Sequence, residues 1–126
     1  MPLVTLTLQA ARPAAFKSAV LDAVHAALVA AGVPAPDRFQ RVLELPAENL
    51  RIDPHYPDAA NPRGSDFVLI EILWSVGRSV KIKRALLGDL MGRLRDAGLD
   101  TEQVMVVFQE TTWENWAIAG GRQIHV

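Results

Sequence analysis

The sequence predicts an α+β fold in which two fused β-α-β repeats form a four-stranded mixed sheet with two helices on one face. Three observations predict it. Residues 3–8 alternate apolar and polar side chains, as a strand with one covered face requires. Stretches 14–31 and 80–97 each carry an apolar residue every four positions and run into a glycine. The chain also matches itself at an offset of 66 residues, which places Arg12 on Arg78, Lys17 on Lys83, Ala19 on Ala85, Leu21 on Leu87, Leu28 on Leu94, Ala31 on Ala97 and Gly32 on Gly98. Helices of one phase always share some leucines, but an arginine before each helix and a glycine after each are not required by periodicity.

Each element has its own local reason. The first strand, Leu3 to Leu8, follows Pro2, whose fixed φ suits the start of an edge strand. The first helix, Ala14 to Ala31, follows Pro13, carries Phe16, Val20, Val24 and Leu28 as its stripe, and stops at Gly32. The stiff turn Val33-Pro34-Ala35-Pro36-Asp37 leads into a second strand, Arg38 to Leu45, with Phe39, Arg41, Leu43 and Leu45 on one face. Residues 46–65 form a polar connection with the breaker cluster Asn61-Pro62-Arg63-Gly64, long enough that a short helical turn or hairpin is expected within it. Phe67 to Trp74 is nearly continuous apolar and reads as a central strand; its Glu71 faces either a subunit boundary or a polar patch. Ser79 caps a helix over Val80 to Ala97 with Ile82, Leu86, Leu90 and Leu94 as its stripe and Gly98 as its stop. Val104 to Phe108 is a fourth strand, and the tail carries Trp113, Trp116, Gly120-Gly121 and a short apolar end.

These elements fit one domain over residues 1–126: a first repeat over about 2–45, the connection 46–65, a second repeat over about 66–109 and the tail 110–126. Half of the residues are apolar, and the net charge of −1 is spread over interleaved acids and bases, so no footprint for nucleic acid or anionic lipid is visible. With no cysteine there is neither disulfide nor thiolate chemistry. His25, His55 and His125 are far apart and form no metal-binding pattern. The amino end lacks the regions of a signal peptide and no apolar run is long enough for a membrane span, so a cytoplasmic location is expected. Two helices can cover only one face of the sheet; the other, with its apolar side chains, calls for an oligomer of closed symmetry.

The residue with most chemical potential is Pro2. Removal of the initiator would release its pyrrolidine nitrogen, and an α-amino group has a reference pKa of roughly 7.7–8.0 that an apolar pocket lowers toward neutrality. Such an amine is a usable general base, and its protonated form a usable acid. While Met1 is retained the nitrogen is an amide without basicity. Proline at this position also has the purely structural reading of a strand opener. Arg78 likewise has two readings, a planar fork for a carboxylate just before a helix amino terminus or a surface ion pair. In the repeat Pro2 is matched by Val68, so only the first unit can carry the amine.

Pro2 opening the first strand, the junction Gly77-Arg78-Ser79, the paired repeat and Glu114-Asn115-Trp116 together resemble the tautomerase superfamily. Asp22-Ala23-Val24-His25, Gly32-Val33-Pro34 and Asp37-Arg38-Phe39-Gln40 resemble its malonate semialdehyde decarboxylase-like branch. The resemblance spans essentially the whole chain. It implies a homotrimer with a site around each Pro2 and neither metal nor organic cofactor. Carried over to this sequence, Pro2 is the acid/base, Arg78 the carboxylate binder and Asp37 a polar group near the amine, while Trp116, Ile118 and Ser75 contact the substrate. Some decarboxylases of the branch have a second arginine where Val76 stands, and phenylalanine is common where Ile118 stands. Arg12, the repeat mate of Arg78, is expected in a salt bridge at a subunit interface, and His25 in a structural role.

The function these readings imply is a tautomerase-type enzyme moving a proton on a small keto or enol acid. The alternatives are a decarboxylase or hydratase acting on a 3-oxo acid, and a non-catalytic trimeric binding module.

Overall fold

A computed structural model describes residues 1–123, so the apolar end of the tail, with His125, lies outside the described residues. Strand β1 runs over Pro2–Gln9, helix α1 over Ala14–Ala30, β2 over Phe39–Leu45, β3 over Val68–Ser75, α2 over Val80–Asp96 and β4 over Val104–Thr111. A small hairpin of β5, Ala117–Ala119, and β6, Arg122–Gln123, follows. Gly120 and Gly121 turn that hairpin at φ +57° and +71°, backbone that side-chained residues rarely adopt. The long connection contains one short helical turn, Ala47–Asn49. β4 extends three residues beyond the expected Phe108 because Gln109, Glu110 and Thr111 pair with Leu73, Trp74 and Ser75.

The sheet order is β2-β1-β3-β4. β1 is parallel to β2 and β3 to β4, which makes each repeat a β-α-β unit, while β1 and β3 are antiparallel. The β1–β3 register pairs Pro2 with Trp74 and Leu8 with Val68, so the two units are related by an approximate two-fold axis through the centre of the sheet. Side chains follow the same symmetry. Lys17 bonds Glu44 in the first unit and Lys83 bonds Glu110 in the second, each tying helix to strand between equivalent residues. Both helices end in the same way: Val33 N–H donates to the Leu28 carbonyl and Leu99 N–H to that of Leu94, each at 3.0 Å. Gly32 and Gly98 supply the positive φ that this closure requires. The two helix starts differ, because Ser79 Oγ accepts from Ile82 N–H while its repeat mate Pro13 provides no side-chain cap.

The core lies between the helices and one face of the sheet. Val4, Leu6 and Leu8 of β1 and Val68, Ile70, Ile72 and Trp74 of β3 meet Val20, Val24 and Leu28 of α1 and Leu86, Leu90 and Leu94 of α2, all fully buried. Ile82, expected in the α2 stripe, remains 40% exposed at the cleft between the helices. The other face of the sheet presents Phe39, Leu43 and Met105, each about half exposed. Along its middle runs a polar row: Arg41 Nε donates to Thr5 Oγ1 at 2.8 Å, and Thr5 is paired in register with Glu71. Glu71 thus faces a polar patch on the uncovered side. Among the described residues no helix is long and apolar enough to cross a membrane.

Candidate active site

The start of β1, the start of β2 and the end of β3 meet at one end of the sheet, because β2 is parallel to β1 and β3 antiparallel to it. That arrangement brings together residues far apart in sequence. Pro2 is buried opposite Trp74, and Arg78 follows four residues after Trp74. Asp37 arrives from the turn ahead of β2. The tail returns over the same end through the turn Trp113–Asn115 and β5.

A cavity of about 520 Å³ opens here, lined by Met1, Pro34, Asp37, Arg78, Trp113 and Ile118 among others. Its walls are mostly apolar, so the charges it contains act in a medium of lower effective dielectric than water. The Met1 ammonium lies 3.6 Å from Asp37 Oδ2. Asp37 Oδ1 is buried with no hydrogen-bond partner among the described residues, leaving one acceptor of the carboxylate unused. A buried unpaired acceptor is costly, and such an oxygen is satisfied when a donor enters the cavity.

Arg78 is the cavity's cation. Its guanidinium stacks over Trp74 at 4.2 Å from the ring centroid and lies 5.6 Å from that of Trp113, while Nη1 donates to the Ser75 carbonyl at 2.9 Å. Two aromatic faces and a carbonyl hold the guanidinium without neutralising it. Among the described residues no carboxylate forms an ion pair with it. Burial lowers the Arg78 pKa from the ordinary arginine range, and the charges of Glu110 and Asp37 act against that shift. Arginine remains protonated at neutral pH, so the cavity holds a partly desolvated, standing positive charge.

The predicted residues divide into those that share this cavity and those beside it. Asp37, Arg78 and Ile118 line it. Pro2 and Trp116 line an adjoining pocket of about 230 Å³, whose walls also include Met1 and Ile118. Trp116 is therefore on the Pro2 side, separate from Arg78, and its Nε1–H is buried without a partner among the described residues. Ser75 is fully buried and meets Arg78 through its backbone carbonyl; its hydroxyl has no hydrogen-bond partner among the described residues. Arg12 forms its salt bridge within the chain, to Asp66. His25 Nε2 lies 2.9 Å from the Ala35 carbonyl, in the turn that delivers Asp37.

Trp74 and Trp113, the two faces that hold Arg78, were not legible as site residues, since a large aromatic reads as core from sequence. The one available signal is spacing: Trp74 ends a strand four residues before the arginine. The turn that presents Trp113 is closed by Asn115, whose Nδ2 donates to Thr111 Oγ1 at 2.6 Å, and beside it the exposed Glu114 carboxyl is kept below its usual pKa by its backbone N–H and then by the Thr112 hydroxyl. Among the described residues no group of three or more His, Cys, Asp or Glu side chains is arranged to hold a metal ion.

Comparison with known proteins gives the class. The model of the family described as tautomerase enzyme matches residues 37–119. A structure of malonate semialdehyde decarboxylase, described with its decarboxylase and hydratase activities, is 32% identical, superposes with a TM-score of 0.86, and covers 96% of this chain and 93% of its own. The FG41 malonate semialdehyde decarboxylase inhibited by 3-bromopropiolate has a TM-score of 0.87 at 24% identity, covering 96% of this chain and 92% of its own. A fused 4-OT, solved as a symmetric trimer, has a TM-score of 0.75 at 24% identity, with 96% of this chain and 94% of its own covered. No curated protein matches the chain. The chain belongs to the tautomerase family. The same fold is found in N1, a member of the cis-3-chloroacrylic acid dehalogenase family, with a TM-score of 0.76 at 20% identity, covering 95% of this chain and 81% of its own.

Proposed function

We propose that this protein is a cofactor-independent enzyme that moves a proton on a small keto or enol carboxylic acid. The observation that carries this reading is an Arg78 that forms no ion pair among the described residues, held between two tryptophans, in an apolar cavity lined also by Met1 and Asp37. Arg78 takes the substrate carboxylate in a two-pronged hydrogen bond. Removal of Met1 turns the Pro2 nitrogen into a free secondary amine, beside the space that Met1 occupies. That amine removes a proton next to the substrate carbonyl and returns it at the other end of the enol system. Asp37, whose Oδ1 has no partner among the described residues, orients the amine or a water. Trp113, Ile118 and Trp116 shape the wall and exclude bulk water.

A protonated Pro2 supports the second reading, decarboxylation or hydration of a 3-oxo acid, in which the ammonium polarises a carbonyl or positions water. The 32% identical malonate semialdehyde decarboxylase favours it; Val76, where some decarboxylases have a second arginine, favours proton transfer. Side-by-side assays of phenylenolpyruvate and malonate semialdehyde, with Pro2→Ala as control, decide between them, and whichever shows no proline-dependent turnover is eliminated. The pH profile gives the sign. If Pro2 is a base, kcat/KM falls as pH drops through the amine pKa; if it is an acid, kcat/KM falls as pH rises through it. Quantitative retention of Met1, read by intact mass, would leave a binding module instead.

The working form in this reading is a homotrimer assembled through the uncovered sheet face with Phe39, Leu43 and Met105. Light scattering tests it: a stable monomer at micromolar concentration is incompatible with this assembly.

A further inference from the structure

The approximate two-fold axis that relates the repeats predicts a second copy of the cavity at the opposite end of the sheet, and one is there. A pocket of about 220 Å³ is lined by Arg12, Phe16, Asp66, Gly98, Leu99 and Gln103 among others. Arg12, Gly98, Leu99 and Gln103 are the repeat mates of Arg78, Gly32, Val33 and Asp37, which line the larger cavity. Arg12 is also held by an aromatic face, 4.5 Å over the Phe16 ring. Where the first cavity is lined by Met1, this one has the end of the connection between repeats. Asp66 enters from it and places Oδ1 2.5 Å from Arg12 Nη2. Asp66 itself supplies the carboxylate that the symmetry leads one to expect of a ligand.

We propose that the Arg12 pocket is a second, non-catalytic carboxylate-binding site, closed from within the chain by the Asp66 side chain. Three features support a removable stopper over a fixed structural pair. The Asp66 side chain is 64% exposed, so the ion pair is screened and of the kind that contributes little to stability. Asp66 engages Nη2, and Arg12 Nε is buried with no hydrogen-bond partner among the described residues, so part of the guanidinium fork is unused. The floor is rigid independently of Asp66: Gln103 accepts from Gly64 N–H at 3.0 Å and donates to the Pro62 carbonyl at 2.9 Å. Asn61 also donates to Asp100 Oδ2, at 3.1 Å. With the connection anchored there, the Asp66 side chain can swing into solvent while the pocket keeps its shape. The volume suits a small acid such as a 2-oxo carboxylate rather than a drug-sized ligand. The residue at the Pro2 position is Val68, an amide within the chain, so binding here leads to no proton transfer.

Pyruvate titrated into the full chain, followed by NMR at the Arg12 Nε–H and the Gly98 and Leu99 amides, tests this. In Asp66→Asn, which keeps the side chain's shape and removes its charge, pyruvate should bind at these signals about threefold to tenfold more tightly than in the unaltered chain, the size of losing an exposed ion pair and a neighbouring like charge. Adding Arg12→Gln should remove the response, and Arg78→Gln should leave it intact, which separates this site from the proposed catalytic one. The idea is overturned if Asp66→Asn shows no saturable shift at these signals, or if the shift survives Arg12→Gln. Should Arg12→Gln unfold, Arg12→Lys retains the charge without the fork and is expected to weaken pyruvate without abolishing it; unchanged affinity would count against the proposal.

Discussion

The two ends of the sheet are built from the same unit and have different contents. At one end Arg78 is held by Trp74 and Trp113, meets no carboxylate among the described residues, and faces a cavity of about 520 Å³. At the other, Arg12 is held by Phe16, meets Asp66, and faces a pocket of about 220 Å³. The difference comes from connectivity more than from the repeat. The first unit opens on Met1, whose nitrogen lies beside Asp37, whereas the equivalent place in the second unit receives the linker, whose Asp66 side chain fills the space. The position of Asp37 in the first unit is taken by Gln103 in the second, where both ends of its amide clamp that linker.

Substitutions at equivalent positions show where the symmetry holds. The largest effect is expected where the halves are most alike: Leu28→Ala and Leu94→Ala, both fully buried, should each cost about 2–5 kcal/mol in chemical denaturation, and by similar amounts. A large inequality would mean that one helix packs less tightly than its burial implies. Arg78→Ala breaks the asymmetry of the sites and should lower kcat/KM about a hundredfold or more, the scale of a desolvated charge-assisted contact in a reacting centre. Steady-state assays on the preferred acid measure it. Gln103→Ala should cost about 1–3 kcal/mol, because it leaves Gly64 N–H and the Pro62 carbonyl without their partner. Thermal unfolding reads that loss.

Smaller effects sharpen the picture at the surface. Ser79→Ala removes a cap that Pro13 never supplied and should cost about 1 kcal/mol, measurable by urea titration. The pairs Lys17–Glu44 and Lys83–Glu110 occupy equivalent positions at partly exposed sites, and double-mutant cycles should return about 0.2–1 kcal/mol for each. Near-equal coupling energies would extend the two-fold relation from backbone to side chains.

The strands and helices were legible because their signals are local. Alternation in Leu3 to Leu8, the four-residue stripe in each helix and the glycine stops at Gly32 and Gly98 depend on neighbours within a few turns, and each element lies within a few residues of its expected place. Ile82 departs from its stripe because it falls beside the cleft between the helices, a feature of their packing. The site was partly legible. Asp37, Arg78 and Ile118 do line one cavity and Pro2 adjoins it, but Trp116 lies on the Pro2 side and Ser75 contacts Arg78 through its backbone.

The sequence by itself determined the repeat, the order and extent of its elements, and the fact that only one repeat has a proline at its head. Tertiary structure decided the rest. The antiparallel pairing of β1 with β3 places Pro2 opposite Trp74, and hence near Arg78, while the parallel pairing of β3 with β4 sets Thr111 beside Ser75 and so brings the Trp113 ring to the guanidinium. That pairing also sends the linker to the far end, where Asp66 meets Arg12. Local periodicity cannot carry this information, because which strand ends meet depends on how whole units dock, and the contacts that result join residues tens of positions apart.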